Sequence, residues 1–224
     1  MRHPAPALPA EQLTIAWQAA SLLLDYPDET LLARLELIQR AVAGLPSVIG
    51  DPLRATADGL ASEGLSALQQ RYVDTFDGRR RHNLYLTYFA HGDTRRRGVA
   101  LLRFKQTYLR SGFVLDDSEL PDHLCVVLEY AATVDQQLGW RLLLDHRAGL
   151  ELLRLALADA ESAWHGAVQA ITATLPPLAG DELTAIERLA AEGPPQEEVG
   201  LTPYATPAFD PVTLPMPSFP GARR

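Results

Sequence analysis

The chain has 224 residues and a mass of 24.5 kDa, with 47% hydrophobic and 21% charged residues. This composition excludes a wholly disordered protein and a membrane protein, and the single cysteine excludes a disulfide framework or a cysteine-rich zinc site. The net charge of −8 argues against general nucleic-acid binding, provided that the charge is evenly spread.

Proline divides the chain into three parts. Eleven of the 17 prolines lie in residues 1–9 or 194–224, and proline disrupts the interior of a helix because it lacks an amide donor. We therefore expect a flexible N-terminus over 1–9, an all-helical domain over 10–193 and a proline-rich tail over 194–224. The tail is expected to be extended, either mobile or strapped along the surface of the domain.

Apolar residues recur at intervals of three and four along most of the chain, which predicts helices. The fold class is therefore expected to be all-α, a single-domain bundle of about nine or ten helices. Asp28 is the expected N-cap of the second helix. Residues 83–90 alternate like a strand, but no partner strand is visible, so a short helix is predicted there. The predicted helices cover, approximately, residues 11–25, 28–45, 51–61, 63–77, 83–90, 94–110, 119–134, 141–159, 161–175 and 181–192.

No segment of the sequence has the pattern expected of a secretion signal or of a membrane-spanning helix. Prolines follow the first basic residues, where a secretion signal would be apolar. The apolar run Leu13–Leu24 is shorter than the roughly 20 residues that span a bilayer. We therefore expect a cytoplasmic protein.

Charge is concentrated in two adjoining blocks. Residues 78–110 contain nine basic residues and one acidic residue, so the rest of the chain carries −16. Residues 111–140 contain six acidic residues and no Lys or Arg. Arg95, Arg96 and Arg97 fall in the first turn of a predicted helix, where the helix dipole disfavours positive charge. Such an arrangement indicates either carboxylate partners within the protein or a binding site.

The next predicted helix begins with the opposite charge. Ser118 is its expected cap, Pro121 is expected in its first turn, and Glu119, Asp122 and Glu129 are spaced to share a face. Two interpretations remain open at this point. Arg95 and Arg97 can pair with Asp122 or Glu129, or one of the two charged faces can be left to receive a charged guest.

Several linked motifs in this region resemble those of the NarJ-type nitrate reductase assembly chaperones, which are related to the TorD and DmsD proteins. The match in order and spacing covers about 65–160. The motifs are Leu24–Asp28 (LDYPD), Tyr72–Asp77 (YVDTFD), His91–Gly98 (HGDTRRRG), Glu119–Leu124 (ELPDHL) and Leu128–Tyr130 (LEY).

The resemblance implies an all-helical cytoplasmic chaperone that is not an enzyme and keeps no metal or cofactor. Proteins of this type bind the N-terminal segment of the nitrate reductase catalytic (alpha) subunit. They hold it for molybdenum cofactor insertion, before the complex docks on its membrane anchor. The implied partner is therefore that peptide, with no nucleic acid and no membrane insertion, and the chain is expected to be a monomer or weak homodimer.

The residues expected to bind the peptide lie in the motifs. Tyr72, Phe76, Tyr85 and Leu124 are expected to form apolar walls, because an amphipathic guest helix needs an apolar groove. Acidic residues are expected to meet basic residues of the guest, and Arg95 and Arg97 to meet acidic ones. The full predicted site comprises Tyr72, Phe76, Asp77, Tyr85, His91, Gly92, Asp93, Arg95, Arg97, Gly98, Glu119, Leu120, Pro121, Asp122, His123, Leu124 and Glu129.

The main alternative function is an arginine-cluster nucleic-acid-binding helical protein. The clusters Arg79–Arg81 and Arg95–Arg97 can neutralise phosphates, and Tyr85, Tyr88 and Phe89 between them can stack on bases. The charge of −16 elsewhere and the absence of a recognisable helix-turn-helix argue against it.

An enzyme or metal protein is the other alternative. His91, Asp93, Asp122 and His123 can be imagined as ligands, but none forms a pair at ligand spacing on a helix. Cys125 lies on an apolar stripe, in a place where the chaperone pattern usually has proline, and is expected to be a small buried hydrophobic residue rather than a nucleophile.

Overall fold

The computed structural model describes residues 8–116, 119–178 and 180–193. These residues form eleven α-helices and one short 3-10 helix, with no β-strand among them, so the predicted all-α fold is confirmed. The N-terminal residues 1–7 and the proline-rich tail lie outside the described residues. The helices are α1 Ala10–Leu24, α2 Glu29–Val42, α3 Ser47–Ala61, α4 Leu65–Phe76, α5 Leu86–His91, α6 Arg95–Arg110, α7 Leu124–Thr133, α8 Gln136–Asp145, α9 Arg147–Asp159, α10 His165–Ala173 and α11 Gly180–Glu192.

Helix α1 lies at the centre of the packing, in contact with α2, α3, α7 and α10. Leu13, Trp17 and Leu24 recur on its inward face and are all at most 1% exposed. The Trp17 indole Nε1 donates a hydrogen bond of 3.0 Å to Thr174 Oγ1, so the polar edge of this buried ring is satisfied. The spacing that predicted α1 from sequence therefore also identifies its buried face.

Helices α2 and α3 pack against each other beside α1. The Asp28 carboxylate caps α2 as predicted, accepting a hydrogen bond of 2.7 Å from the Leu31 amide. Helix α3 begins at Ser47, directly after Pro46, and continues through Pro52. It begins four residues before the predicted helix over 51–61. The prediction put Pro52 in the first turn of the helix, whereas the packed helix tolerates this proline in its interior.

The predicted helix over 119–134 begins later than expected, at Leu124. Pro121 and Asp122 form a turn, and His123 forms an isolated antiparallel bridge with Tyr85. The Leu86 amide donates to the Asp122 carbonyl at 3.0 Å, and the Leu124 amide donates to the Leu84 carbonyl at 2.8 Å. These bonds hold the segment extended against the residues before α5, so Pro121 and Asp122 do not lie in a helical first turn. The expected cap, Ser118, is outside the described residues.

The single helix predicted over 141–159 is two helices, α8 and α9, which meet at His146. Asp135 caps α8 by accepting a hydrogen bond of 2.9 Å from the Leu138 amide. No glycine or proline lies at Asp145, His146 or Arg147, and Leu143 and Leu150 keep the helical spacing across the break, so periodicity alone did not show it. None of the helices in the described part of the chain is both long and apolar enough to span a membrane.

Candidate functional site

A groove of about 520 Å³ opens between α1, α2, α7 and the connection from α6 to α7. Four carboxylates line it against one guanidinium, and we call it the acidic groove. Its residues are Gln18, Ser21, Leu22, Asp25, Arg34, Leu115, Asp116, Glu119, His123, Cys125, Val126 and Glu129.

The acidic groove is built by pairing the end of α1 with the start of α7, two segments about 100 residues apart in sequence. The Ser21 hydroxyl donates a hydrogen bond of 3.0 Å to the Cys125 carbonyl, which fixes the two helices side by side. Asp25, at the end of α1, and Glu129, on α7, are exposed. Their carboxylates are therefore available to a ligand in water.

Burial and the carboxylates of the groove raise the pKa of the Cys125 thiol beside them. Burial raises the pKa of the Cys125 thiol well above its usual range, and the charges of Asp25, Glu119 and Glu129 raise it further. A thiol of this kind stays protonated and unreactive at neutral pH. Cys125 is 8% exposed, in agreement with the buried hydrophobic role predicted from sequence.

His123 forms part of the groove lining and is 9% exposed. Burial lowers the pKa of its imidazole, while the neighbouring carboxylates of Glu119, Asp25 and Asp122 oppose this shift. Its ring packs edge-on against Tyr85, with the ring centroids 5.1 Å apart. His123 is therefore held by aromatic packing, and burial favours its neutral form.

Tyr85 holds one wall of the groove in place. Its hydroxyl donates a hydrogen bond of 3.1 Å to Glu119 Oε1, and the Arg97 guanidinium lies 5.2 Å from the centre of its ring. Burial, followed by the charge of Glu119, raises the pKa of Tyr85 to about 12, so it remains a donor. Glu119 is thereby oriented by a residue that lies next to the basic helix α6.

Behind this wall, Asp122 forms a buried cluster with Thr87 and Arg97. Asp122 is fully buried, and its Oδ2 accepts hydrogen bonds from the Thr87 hydroxyl at 2.5 Å and the Thr87 amide at 3.1 Å. Arg97 Nη2 lies 3.8 Å from the same oxygen, and Arg97 Nε donates to the Thr87 hydroxyl at 3.3 Å. Of the two interpretations left open by the sequence, internal pairing therefore applies to Arg97 and Asp122.

The turn before α6 places Arg97 for this contact. Gly92 has a φ of +57°, a conformation that glycine adopts without steric cost. Thr94 occupies the N-cap position, but its side chain makes no capping hydrogen bond. Asp93 instead accepts a hydrogen bond of 3.3 Å from Arg97 Nη1.

The structure brings three of the predicted site residues, Glu119, His123 and Glu129, into the acidic groove. Tyr85 supports it from behind. The predicted acidic face is wrong at Asp122, because an extended segment replaces the first turn of the helix and turns this carboxylate inward.

The expected apolar walls are also wrong at three positions. Tyr72 and Phe76 are each 8% exposed and pack around Trp164, while Leu124 is fully buried. The partly buried Leu22, Leu115 and Val126 are the apolar residues that line the groove.

The other predicted site residues do not line the acidic groove. Leu120 and Asp77 are exposed, and Pro121 is buried. The remaining ones run from the last residue of α5 into the first residues of α6: His91, Gly92, Asp93, Arg95, Arg97 and Gly98.

Sequence reasoning missed Asp25, Asp116, Arg34 and Gln18 as lining residues. Asp25 belongs to the LDYPD motif and Asp116 to the acidic block, so both lay in segments that the sequence had marked. They lie beside α7 because α1 packs against that helix, and the periodicity of the sequence does not reveal which helices pack together. In the described ranges, no group of three or more His, Cys, Asp or Glu side chains is placed to hold a metal ion.

Comparison with known proteins decides the family. The family model described as "Nitrate reductase delta subunit" matches residues 40–170, more than half of the chain. The chain belongs to the nitrate reductase delta subunit family. The resemblance to NarJ-type assembly chaperones, inferred from the motifs, is thereby confirmed.

Two relatives illustrate the extent of the family match. The nitrate reductase-like protein NarX of Mycobacterium tuberculosis is 41% identical over 160 residues, which are 71% of this chain and 24% of NarX. The probable nitrate reductase molybdenum cofactor assembly chaperone NarJ of Bacillus subtilis is 39% identical over 54% of this chain and 66% of its own length. This chain thus covers about a quarter of NarX and just under two thirds of that NarJ.

A solved structure supports the fold. It is the crystal structure of a protein from Archaeoglobus fulgidus described as a redox enzyme maturation protein. It aligns with a TM-score of 0.52 over 76% of this chain and 95% of its own, at 23% identity. Both chains therefore share one helical fold.

Proposed function

We propose that this protein is a chaperone for the catalytic subunit of a nitrate reductase, and that it binds the N-terminal segment of that subunit in the acidic groove. The bound subunit is held in the cytoplasm while its molybdenum cofactor is inserted, and the chaperone catalyses no chemistry of its own. Family membership supports the chaperone role, because relatives such as the Bacillus subtilis NarJ are named as assembly chaperones.

The observation that carries the proposal is the lining of the acidic groove. Asp25, directly after α1, and Glu129, on α7, are both exposed, while Glu119 is fixed by Tyr85. Positive charges on a guest peptide would be attracted to these carboxylates and would set the orientation of the peptide. A basic segment is therefore the peptide chemistry that the groove favours.

The apolar residues of the groove support a helical guest. Leu22, Leu115 and Val126 are partly buried and lie among the carboxylates. An amphipathic helix can place its apolar face on these residues and its basic residues against the rim. Binding of this kind combines apolar burial, which resists salt, with charge pairing, which salt weakens.

The test is calorimetric titration of the full chain with a synthetic N-terminal peptide of the nitrate reductase catalytic subunit. Reversing both exposed carboxylates, Asp25→Lys with Glu129→Lys, is expected to weaken binding by at least about tenfold, because reversal replaces attraction with repulsion. The affinity of this variant should also no longer fall as salt rises, whereas the affinity of the wild-type chain is expected to fall.

The matched control reverses two exposed carboxylates outside the groove, Glu36→Lys with Glu187→Lys. This variant has the same net charge but an intact groove, so its affinity should stay near the wild-type value. Equal weakening in both variants would show that only net charge matters. Unchanged affinity in the folded Asp25 and Glu129 variant would reject the groove as the peptide site.

A further inference from the structure

Helix α6 has an inward and an outward apolar face. Phe104 and Tyr108 are at most 2% exposed and pack toward α7, where the Tyr108 and Tyr130 ring centroids lie 4.5 Å apart. Val99, Leu102 and Leu109 lie on the opposite side, and they are 56%, 58% and 60% exposed. At 100° per residue these three share one side of the helix. The described structure therefore leaves an aliphatic stripe facing solvent.

Basic residues flank the exposed stripe. Helix α6 contains six basic residues among 16 and no acidic one. Arg97 points inward to Asp122, whereas the other five are exposed. They are Arg95, Arg96, Arg103, Lys105 and Arg110.

The geometry points to an anionic lipid surface as the occupant of this face; we propose that α6 binds the headgroup region of a negatively charged bilayer. An interfacial helix inserts aliphatic side chains between headgroups while its Arg and Lys side chains reach outward to the phosphates. Leu102 and Leu109 supply the aliphatic side chains, and Arg103 and Arg110 supply the positive charges.

Shape and charge favour a bilayer over a peptide. The stripe lies on the convex outer side of one helix, whereas peptide helices are recognised in grooves. Outside residues 78–110 the chain carries −16, which an anionic surface repels. Attraction is therefore confined to residues 78–110, and α6 supplies six of their nine basic residues.

This inference does not depend on the proposed peptide binding, because α6 contributes no residue to the lining of the acidic groove. It concerns reversible surface attachment, which needs no membrane-spanning segment.

The test is co-sedimentation of the full chain with two kinds of vesicle, one of phosphatidylcholine alone and one that also contains phosphatidylglycerol. Binding is expected only with phosphatidylglycerol and should fall as salt rises. The variant Leu102→Ser with Leu109→Ser, and the variant Arg103→Glu with Arg110→Glu, should each weaken binding by at least about tenfold.

Each variant has a control in which exposed residues of the same type are replaced on other helices. Leu37→Ser with Leu183→Ser alters leucines that are 58% and 48% exposed on α2 and α11. Arg40→Glu with Arg141→Glu alters exposed arginines on α2 and α8. Both controls should bind phosphatidylglycerol vesicles like the wild-type chain, and all variants should retain affinity for the N-terminal peptide.

Several results would overturn the proposal. One is failure of the wild-type chain to bind phosphatidylglycerol vesicles, and another is equal loss of binding in the controls. A wild-type dimer that the leucine variant converts to a monomer would assign the stripe to a second copy of this chain. Equally tight binding to a random oligonucleotide, lost in the arginine variant and kept in the leucine variant, would assign the face to nucleic acid.

Discussion

At the residue scale, Asp122 shows how a charged side chain is kept inside this fold. Its Oδ2 accepts two hydrogen bonds from Thr87, and the Arg97 guanidinium lies 3.8 Å away. When a buried polar group loses its hydrogen-bond partner, the free energy of removing that group from water is no longer offset, because water cannot reach the group to replace the bond. Thr87 and Arg97 thus determine whether the turn before α7 can hold Asp122 inside.

Thr87→Val tests this cluster. Valine keeps the shape of threonine but loses the hydroxyl that donates to Asp122, so the free energy of unfolding should fall by about 1–3 kcal/mol. Urea denaturation measures it. Thr133→Val is the control, because the exposed Thr133 hydroxyl donates to the Glu129 carbonyl of its own helix, and its effect should stay within about 0.5 kcal/mol. Equal effects in the two variants would contradict the account.

Four histidines should make stability depend on pH. Burial lowers the pKa of His82, His123, His146 and His165 in the folded protein, and Arg79 lowers that of His82 further. The unfolded chain has the higher histidine pKa, about 6.5, so below that pH it takes up protons that the folded state does not. The free energy of unfolding should therefore fall as the pH drops below about 6.5.

Denaturation curves between about pH 7.5 and about pH 5.5 measure this effect. His82 Nδ1 donates to the Thr75 carbonyl at 2.9 Å, and glutamine retains a donor without a titrating ring. His82→Gln should therefore show a shallower fall than the wild-type chain. A stability that rises toward pH 5.5, or an unchanged slope in the variant, would contradict the assignment.

At the element scale, periodicity predicted most helices because their apolar faces are buried at intervals of three and four. It failed where a tertiary contact replaces a local one. The start of α7 moved to Leu124 because His123 pairs with Tyr85, and the break at His146 has no glycine or proline to announce it. Glu119 and Glu129 were predicted as site residues from their helical spacing, although only Glu129 lies within α7.

The crossing of α7 and α8 offers an element-scale prediction. A Cβ added at Gly139 would collide with Ala131 and its backbone, whereas one at Gly98 on α6 would meet nothing within 4 Å. Gly139→Ala should therefore lower the free energy of unfolding by about 1–3 kcal/mol through overpacking. Gly98→Ala should raise it by about 0.5–1 kcal/mol, because alanine favours the helix. Thermal or urea unfolding distinguishes the two signs, and a stabilised Gly139→Ala would show that the helices are not in close contact.

At the scale of the whole molecule, the net charge of −8 conceals a division between a basic segment over 78–110 and an acidic remainder. The sequence showed this division and the motifs that carry it. It did not show that Asp25 joins Glu119 and Glu129, because the contact between α1 and α7 joins residues far apart in the chain. The division also explains why two different partners can be proposed, a basic peptide for the groove and an anionic surface for α6.

The most direct test of the central claim is co-purification of this chain with a nitrate reductase catalytic subunit produced without its molybdenum cofactor. The account predicts recovery of the subunit when its N-terminal segment is present and loss of recovery when that segment is deleted. The Asp25→Lys and Glu129→Lys variant should lose recovery as well, while the Glu36→Lys and Glu187→Lys control should keep it. Equal recovery of the subunit with and without its N-terminal segment would contradict the account.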